Sequence, residues 1–309
     1  MLKHRLKGHE MKIHNTLMKK PVLVVVALII IVALGSLVSI NITKNKGSNS
    51  QSQVEATRLA FNSANFVNPL DKTNKYHPLT PGMQWTRAGT TEVGSRKVPH
   101  QVVSTMTDVV RIIDGVPAIA MLDQSTDSGK ISQVGFDYLA IDKDSNVWIL
   151  GGYTENYEGG QYTNVESSWL GEADGGKVGI LIPGNVTQNT PRWFIGGRIG
   201  EDPSVGEPVA ANQDITVKFG TFHDVLAVRE GASKAVDNEI KYYAPSVGII
   251  LNTPKSKSLH QDDFQLINLF NLSPEGLSEA SKTVLDLEAH ARQVSTKIYG
   301  RVESAKRLP

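Results

Sequence analysis

Apolar residues fall into three regimes along the chain. Residues 21–40, PVLVVVALIIIVALGSLVSI, form one apolar run without a charge. From about 76 to 252 the apolar residues come in short bursts: RII, VPAIAML, KISQVGFDYLAI, VWIL, KVGILI, DITVKF, DVLAVRE, IKYYA and VGIIL. Gly, Pro, Asp and Asn separate them. After 273 they recur at spacings of three and four, at Leu277, Ala280, Val284, Leu287, Ala291, Val294 and Ile298. Each regime predicts a different element.

The first predicts a membrane span. Twenty residues of helix reach about 30 Å, the thickness of a bilayer's hydrocarbon core. Lys3, Arg5, Lys7, Lys12, Lys19 and Lys20 precede the run against the single acid Glu10. The positive-inside rule then makes residues 1–20 a cytoplasmic basic tail and puts residues 41–309 outside. A cleaved signal peptide is the alternative. Its apolar core would be shorter and would be followed by a small-x-small site, for which Ala33-Leu34-Gly35 is a weak candidate. An uncleaved anchor fits the length better. Lipid attachment through a cysteine is excluded, because the chain has none.

The second regime predicts strands. Residues 41–65 read as a linker, beginning with the polar NITKNKGSNSQSQ, with a short, poorly patterned helix over 54–66. Residues 66–253 read as an extracytoplasmic antiparallel β domain. Asp114-Gly115 between RII and VPAIAML is a hairpin signature. Asp127-Ser128-Gly129 and the segment from Asp142 to Asn146 separate the strands that follow. Sequential short strands joined by tight turns imply a curved antiparallel sheet, either a meander or a partly open barrel. The fold class is therefore mainly β, with an N-terminal transmembrane helix and a C-terminal amphipathic α-helix.

The third regime predicts that helix. Residues 254–309 comprise a polar hinge and then Ser273 as N-cap, Pro274 at the first position and Glu275 in the first turn. Gly300 is placed to end it. The narrow apolar stripe suits packing on the domain's own sheet. Its heptad-like spacing also suits pairing with a second copy of the chain.

Charge divides between the two sides of the span. Residues 1–46 hold eight Lys/Arg and one Glu, a net of +7, and the whole chain is +1, which leaves −6 for the remainder. A mildly acidic outer domain argues against nucleic acid as a partner. Without disulfides, stability must come from packing, and some 240 residues are enough for a substantial core.

Candidate chemistry is sparse. Asp142, Asp144 and Asn146 resemble the start of a calcium loop, but Val147 and Tyr153 stand where that loop needs Gly and Glu, so a turn is the better reading. Trp148, Tyr153, Tyr157, Tyr162, Trp169, Trp193 and Phe194 suit either a ring-lined site or ordinary cross-strand core. The outer histidines, His77, His100, His223, His260 and His290, form no recognised ligand pair. His223-Asp224 on a strand would point to opposite faces. The glycine-rich stretch from Gly171 to Gly176 lacks the phosphate-loop and dinucleotide fingerprints. Neither a G-x-S-x-G elbow nor a cysteine nucleophile is present. These residues assign no catalytic, cofactor or metal position.

Five ordered blocks are similar to a family of bacterial exported or membrane-anchored β-rich proteins of unknown function. They are NKYHPLTPGMQW from Asn74, RIIDGV from Arg111, IDKDSNVWILGGYTENYEGG from Ile141, FGTFHDVLAVRE from Phe219 and KYYAPSVGII from Lys241. They span about 190 residues and leave out the anchor and the C-terminal helix. Many relatives carry cysteines near the segment before GTFHDVL, where PVAANQDITVKF has none, so any disulfide of the family is absent. The resemblance implies an exported β domain and no activity, cofactor or catalytic residue. Together these readings predict a single-pass, tethered, non-enzymatic binding or envelope-interaction module. Its partners are the bilayer, through residues 21–40, and an envelope ligand or protein. The outer domain would be monomeric. One alternative is a carboxylate-dependent enzyme on a cell-wall or polysaccharide substrate, using acids between Glu155 and Asp174. The other is a structural module that oligomerises through its C-terminal helix.

Overall fold

The computed structural model describes residues 56–172, 175–197, 204–232, 239–254, 262–301 and 303–308. The predicted tail and span, residues 1–40, lie outside them. Among the described residues no helix is long and apolar enough to cross a membrane. After a 3-10 turn at Ser63–Asn65, the strands follow in order: β1 Phe66–Val67, β2 Met83–Val93, β3 Arg96–Ile113, β4 Val116–Asp127, β5 Lys130–Asp142, β6 Val147–Glu158 and β7 Gln161–Leu170. Then come β8 Gly179–Ile182, β9 Trp193–Gly196, β10 Ser204–Val217, β11 Gly220–Ala232, β12 Glu239–Ala244, β13 Gly248–Pro254 and β14 Asp263–Asn271. Helix α1, Pro274–Val294, and the short β15, Lys306–Arg307, close the chain. The poorly patterned helix expected before residue 66 is absent over 56–62, where the chain is irregular.

Tight turns build the antiparallel sheet. Asp114 and Gly115 both take positive φ, 49° and 81°, the backbone of a two-residue turn whose twist matches the strands it joins. Ser128 and Gly129 repeat that geometry between β4 and β5, at 50° and 78°. The Asp142–Asn146 turn is held by its own first residue. Asp142 Oδ1 accepts from the backbone N–H of Asp144 and Asn146 at 3.0 and 2.9 Å. Its Oδ2 accepts from Asn146 Nδ2 and Trp148 Nε1, each at 2.8 Å. Four donors occupy this carboxylate, as a turn requires.

All the strands belong to one sheet, ordered β7-β6-β5-β4-β3-β2-β14-β13-β12-β11-β10-β9, with β1 on β5, β8 on β6 and β15 on β3. The sheet curls strongly. Its two ends meet where Lys177 and Gly197 exchange backbone hydrogen bonds of 2.9 and 3.1 Å and a Cβ on Gly179 would lie 2.5 Å from the Ile195 carbonyl carbon. Among the described residues no ladder joins β8 to β9, so the sheet they form stays open rather than closing into a barrel.

Strand β14 sits in the middle of this order, between β2 and β13, although its stretch, DFQLINLFN, falls after the apparent end of the strand region. Its burial is irregular and its register with β2 shifts after Leu266, which blurs the alternation that reveals a strand. Close approach of the two backbones needs Gly89, where any side chain would strike the Asp263 carbonyl.

Successive residues of a strand face opposite sides of the sheet, and the two sides differ in kind. On β5, Val134, Phe136 and Tyr138 are buried on the side that carries α1, while Gly135 and Asp137 face the other. Ser273 caps the helix, accepting from Gly276 N–H at 3.2 Å. Val284, Leu287 and Ala291 of the predicted stripe are buried against the sheet. The helix ends at Val294, earlier than Gly300, and Val294 is exposed. A bulge in β3 turns Asp108 toward the helix, where it accepts from Ser281 Oγ at 2.7 Å and pairs with Arg307 of β15.

Candidate functional site

The side of the sheet away from α1 holds a polar cleft of about 420 Å³, within the range of small-molecule sites. Asp123 comes from β4, Asp137 from β5, Arg87 from β2 and Glu239 and Lys241 from β12. In a flat sheet β5 and β12, six strand steps apart, would stand about 29 Å from each other. The curl brings them to one cavity.

Two glycines open its floor. Asp137 pairs with Gly152 across β5 and β6, and a side chain on Gly152 would collide with the Asp137 carboxylate. A Cβ on Gly135 would lie 2.5 Å from Thr154 Oγ1. His77 arrives from the loop before β2. That loop is set by buried Asn74, whose Oδ1 accepts from Tyr76 and His77 N–H at 2.8 and 3.1 Å. Its Nδ2 donates to the carbonyls of Ser145 and Pro183.

The charged groups are mostly paired with one another. Arg87 donates to Ser104 Oγ, which donates to Asp123, and Arg87 lies 3.9 Å from Asp123 Oδ1 and over the Phe264 ring. Lys241 Nζ sits 2.9 Å from Glu230 and 3.0 Å from Glu239. Burial opposes the Lys241 ammonium, yet those two carboxylates hold its pKa well above the usual lysine value. Glu230 also accepts from Tyr243 OH, and Glu239 accepts from Asn252 Nδ2 at 2.8 Å. Burial raises Asp123 against the pull of Arg87.

Asp137 is different. It has no hydrogen bond to any described residue. Burial, with the Asp123 carboxylate second, pushes it up to about 7, against the weaker pull of Lys241. Burial lowers His77 to about 4, assisted by Arg87 and Lys241, so its imidazole is neutral at pH 7.

These two shifts act oppositely on stability. Between pH 4 and 7 folded Asp137 keeps a proton that the unfolded carboxyl has lost, so its contribution weakens as pH rises. Between pH 4 and 6.5 folded His77 stays neutral while the unfolded imidazole binds a proton, so its contribution strengthens as pH rises. The pair is expected to cancel largely. Asp137→Asn should unmask the histidine: relative to the wild type, the variant's melting temperature should climb more steeply from pH 4 to 6.5. A melting series across that range checks it, and parallel curves would refute the assignment.

Most sequence candidates lie elsewhere. Glu155, from the stretch of acids proposed for catalysis, is buried on the helix side. It accepts from Tyr153 and Tyr157 OH at 2.8 and 2.6 Å and is 2.5 Å from His290 Nδ1 of α1. It belongs to a groove of about 440 Å³ between helix and sheet. Glu172 at the surface pairs with Arg58 at 2.6 Å, and Asp174 is outside the described residues. The aromatic residues divide: Tyr153, Tyr157 and Tyr162 gather around Glu155 and His290 on the helix side, while Trp148 packs on Phe61 and Phe66. His100 is 2.7 Å from Asp127, and exposed His223 is 2.8 Å from Asp214. Positive φ at Asp224, within an irregular stretch of the β10–β11 pairing, breaks the expected strand alternation there. His260 is outside the described residues. Of the described histidines singled out, only His77 reaches the cleft, while Arg87, Asp123, Asp137 and Lys241 carried no motif.

No family model matches the chain, and no curated protein matches it. Two solved structures share a likeness. One is a protein provisionally classed as exported, with a YmcC-like fold, from Bacteroides fragilis. It is 14% identical, with a TM-score of 0.36 over 64% of this chain and 100% of that one. The other is a provisionally assigned lipoprotein from Parabacteroides distasonis, 15% identical, with a TM-score of 0.32 over 64% of this chain and 100% of that one. At these scores neither likeness defines the fold, which rests on the strand order and the cleft described above.

Proposed function

We propose that the protein is a tethered, extracytoplasmic binding domain that takes a small polar ligand in the cleft of its curled sheet, without transforming it. The observation that carries this reading is the cleft itself: about 420 Å³, walled by Arg87, Asp123, Asp137, Glu239 and Lys241. Arg87 is buried and the other four are only partly exposed, and desolvated ionisable groups gathered in one cleft are the usual mark of a binding site. Their mutual pairing fixes their positions, which suits binding by a preformed surface. The apolar run of residues 21–40 and the basic tail support the tether and its orientation.

The test uses the full chain in detergent and a panel of small polar solutes spanning anions, neutral polyols and cations. Ser125 lines the cleft with its side chain on the same face as Asp123, and Ser125→Trp should fill the space. At least one solute class should raise the wild-type melting temperature, since a ligand at about 100 times its Kd adds about 2.7 kcal/mol of stability. The same solute should leave the Ser125→Trp protein unmoved, while the two ligand-free proteins melt within a few degrees of each other. Binding that persists with the cleft filled, or a panel without any effect, would overturn the reading.

A further inference from the structure

We infer that the cleft takes a small organic cation, an ammonium group borne on a hydroxyl-carrying chain, with Asp137 as its counter-charge. The inference rests on the reading of the cleft as a binding site and specifies what it binds.

Charge balance is the first ground. Four carboxyls line the cleft, Asp123, Asp137, Glu239 and Asp262, against two cations, Arg87 and Lys241. Arg87 faces Asp123, and Lys241 is shared between Glu239 and Glu230 behind it. An anionic ligand would therefore meet cations that already have partners, and at Lys241 two carboxylates for one ammonium. Asp137 alone is left without a positive or hydrogen-bonding partner. At Asp137 burial and the Asp123 carboxylate outweigh the pull of Lys241, and a bound ammonium would offset them.

The unused hydrogen-bonding groups are the second, independent ground. Asn252, 1% exposed, spends Nδ2 on Glu239 and on the Asp262 carbonyl, and its Oδ1 has no partner. His77 Nδ1, on a ring that is neutral and 6% exposed, has none either. The amide oxygen is an acceptor and the neutral ring can be one, which with the Asp137 carboxylate matches the several N–H donors of an ammonium group. Arg87 Nε, also buried and unpartnered, is a donor, and it calls for an oxygen on the same ligand. An amino alcohol or amino sugar carries both kinds of group. A bare metal ion fits less well: among the described residues no three His, Cys, Asp or Glu side chains are grouped to hold one.

Three probes share one polyol chain and differ in the charge at its end: glucamine, sorbitol and gluconate. Calorimetric titration of the full chain in detergent at pH 7.5 should show glucamine binding at least tenfold more tightly than sorbitol, and gluconate no better than sorbitol. Asp137→Asn should erase the preference for glucamine, while Asp137→Glu, which restores the charge, should keep most of it. Asp137→Asn removes a partly buried charge and is expected to fold, which its melt verifies. Ser125→Trp should abolish the glucamine signal. Equal binding of glucamine and sorbitol, or a preference for gluconate, would overturn the cation while leaving the cleft a binding site. A glucamine preference that survives Asp137→Asn would overturn the role of Asp137. No binding of any of the three would overturn the inference, and the wider solute panel then decides whether the cleft binds at all.

Discussion

Glu288→Ala should lower the stability of the folded domain by about 3–5 kcal/mol, the largest effect expected of any single truncation here. Glu288 sits on α1 and is 2% exposed. It pairs with Arg111 of β3, accepts from Tyr138 OH at 2.7 Å and accepts from the Ala305 N–H at 2.8 Å. Arg111 also donates to the Glu303 carbonyl and lies against the rings of Tyr138 and Tyr299. Removing the carboxylate strands a buried guanidinium, a buried phenol and a backbone donor together. At roughly 2–4 °C per kcal/mol for a domain of this size, the melting temperature should fall by about 10 °C or more. The double variant Arg111→Met with Glu288→Leu should recover much of that loss, because apolar groups of similar volume can replace a buried pair at little cost. Thermal melts of wild type, single and double variants decide it. A double variant no better than the single would show that the network's hydrogen bonds, rather than the stranded charge, set the cost.

Val284→Asp is expected to cost about 4–5 kcal/mol, near the upper end for a point change, and to do so without altering the oligomeric state. Val284 is fully buried under α1, with Leu287 and Ala291 on the same stripe. A carboxylate there replaces an apolar core contact and must either stay protonated at neutral pH or pull the helix off the sheet. Either outcome lowers the melting temperature. A coiled-coil seam would respond differently, turning an oligomer into a monomer with the sheet melting nearly as before. Sedimentation and melting of both proteins separate the two: a change in mass without a change in melting would return the helix to self-association.

Both variants probe the side of the sheet that the sequence shows best. The helix was legible because its cap, Ser273-Pro274-Glu275, and its three-and-four spacing are local properties that survive in any tertiary setting. The turns at Asp114-Gly115 and Ser128-Gly129 were legible for the same reason: positive φ at two adjacent positions restricts which residues can stand there. Strand β14 was not, since its polar mixture and shifted register leave no clean period of two, and its central place comes from pairing with β2, some 180 residues earlier.

The cleft was less legible still. Asp123 and Asp137 look like the solvated outer positions of two adjacent strands, and Lys241 and Glu239 like those of a third. Along the chain nothing separates an outward charge from one that faces a cavity, because alternation assigns a side of the sheet but not what lies over it.

By itself, then, the sequence determined the apolar run and its charge bias, the antiparallel strand class, the positions of the tight turns and the helix with its buried stripe. Each follows from spacing or backbone preference within a few residues. Only the tertiary structure decided that one side of the sheet packs against α1 while the other curls over a polar cavity. Only it decided that Glu155 meets His290 of α1, that Glu288 pairs with Arg111, and that Asp137 stands without a hydrogen-bonding partner among fixed charges. Those outcomes depend on how far the sheet bends, which is the sum of twist, bulges and glycine contacts such as Gly89 and Gly152 across strands distant in sequence.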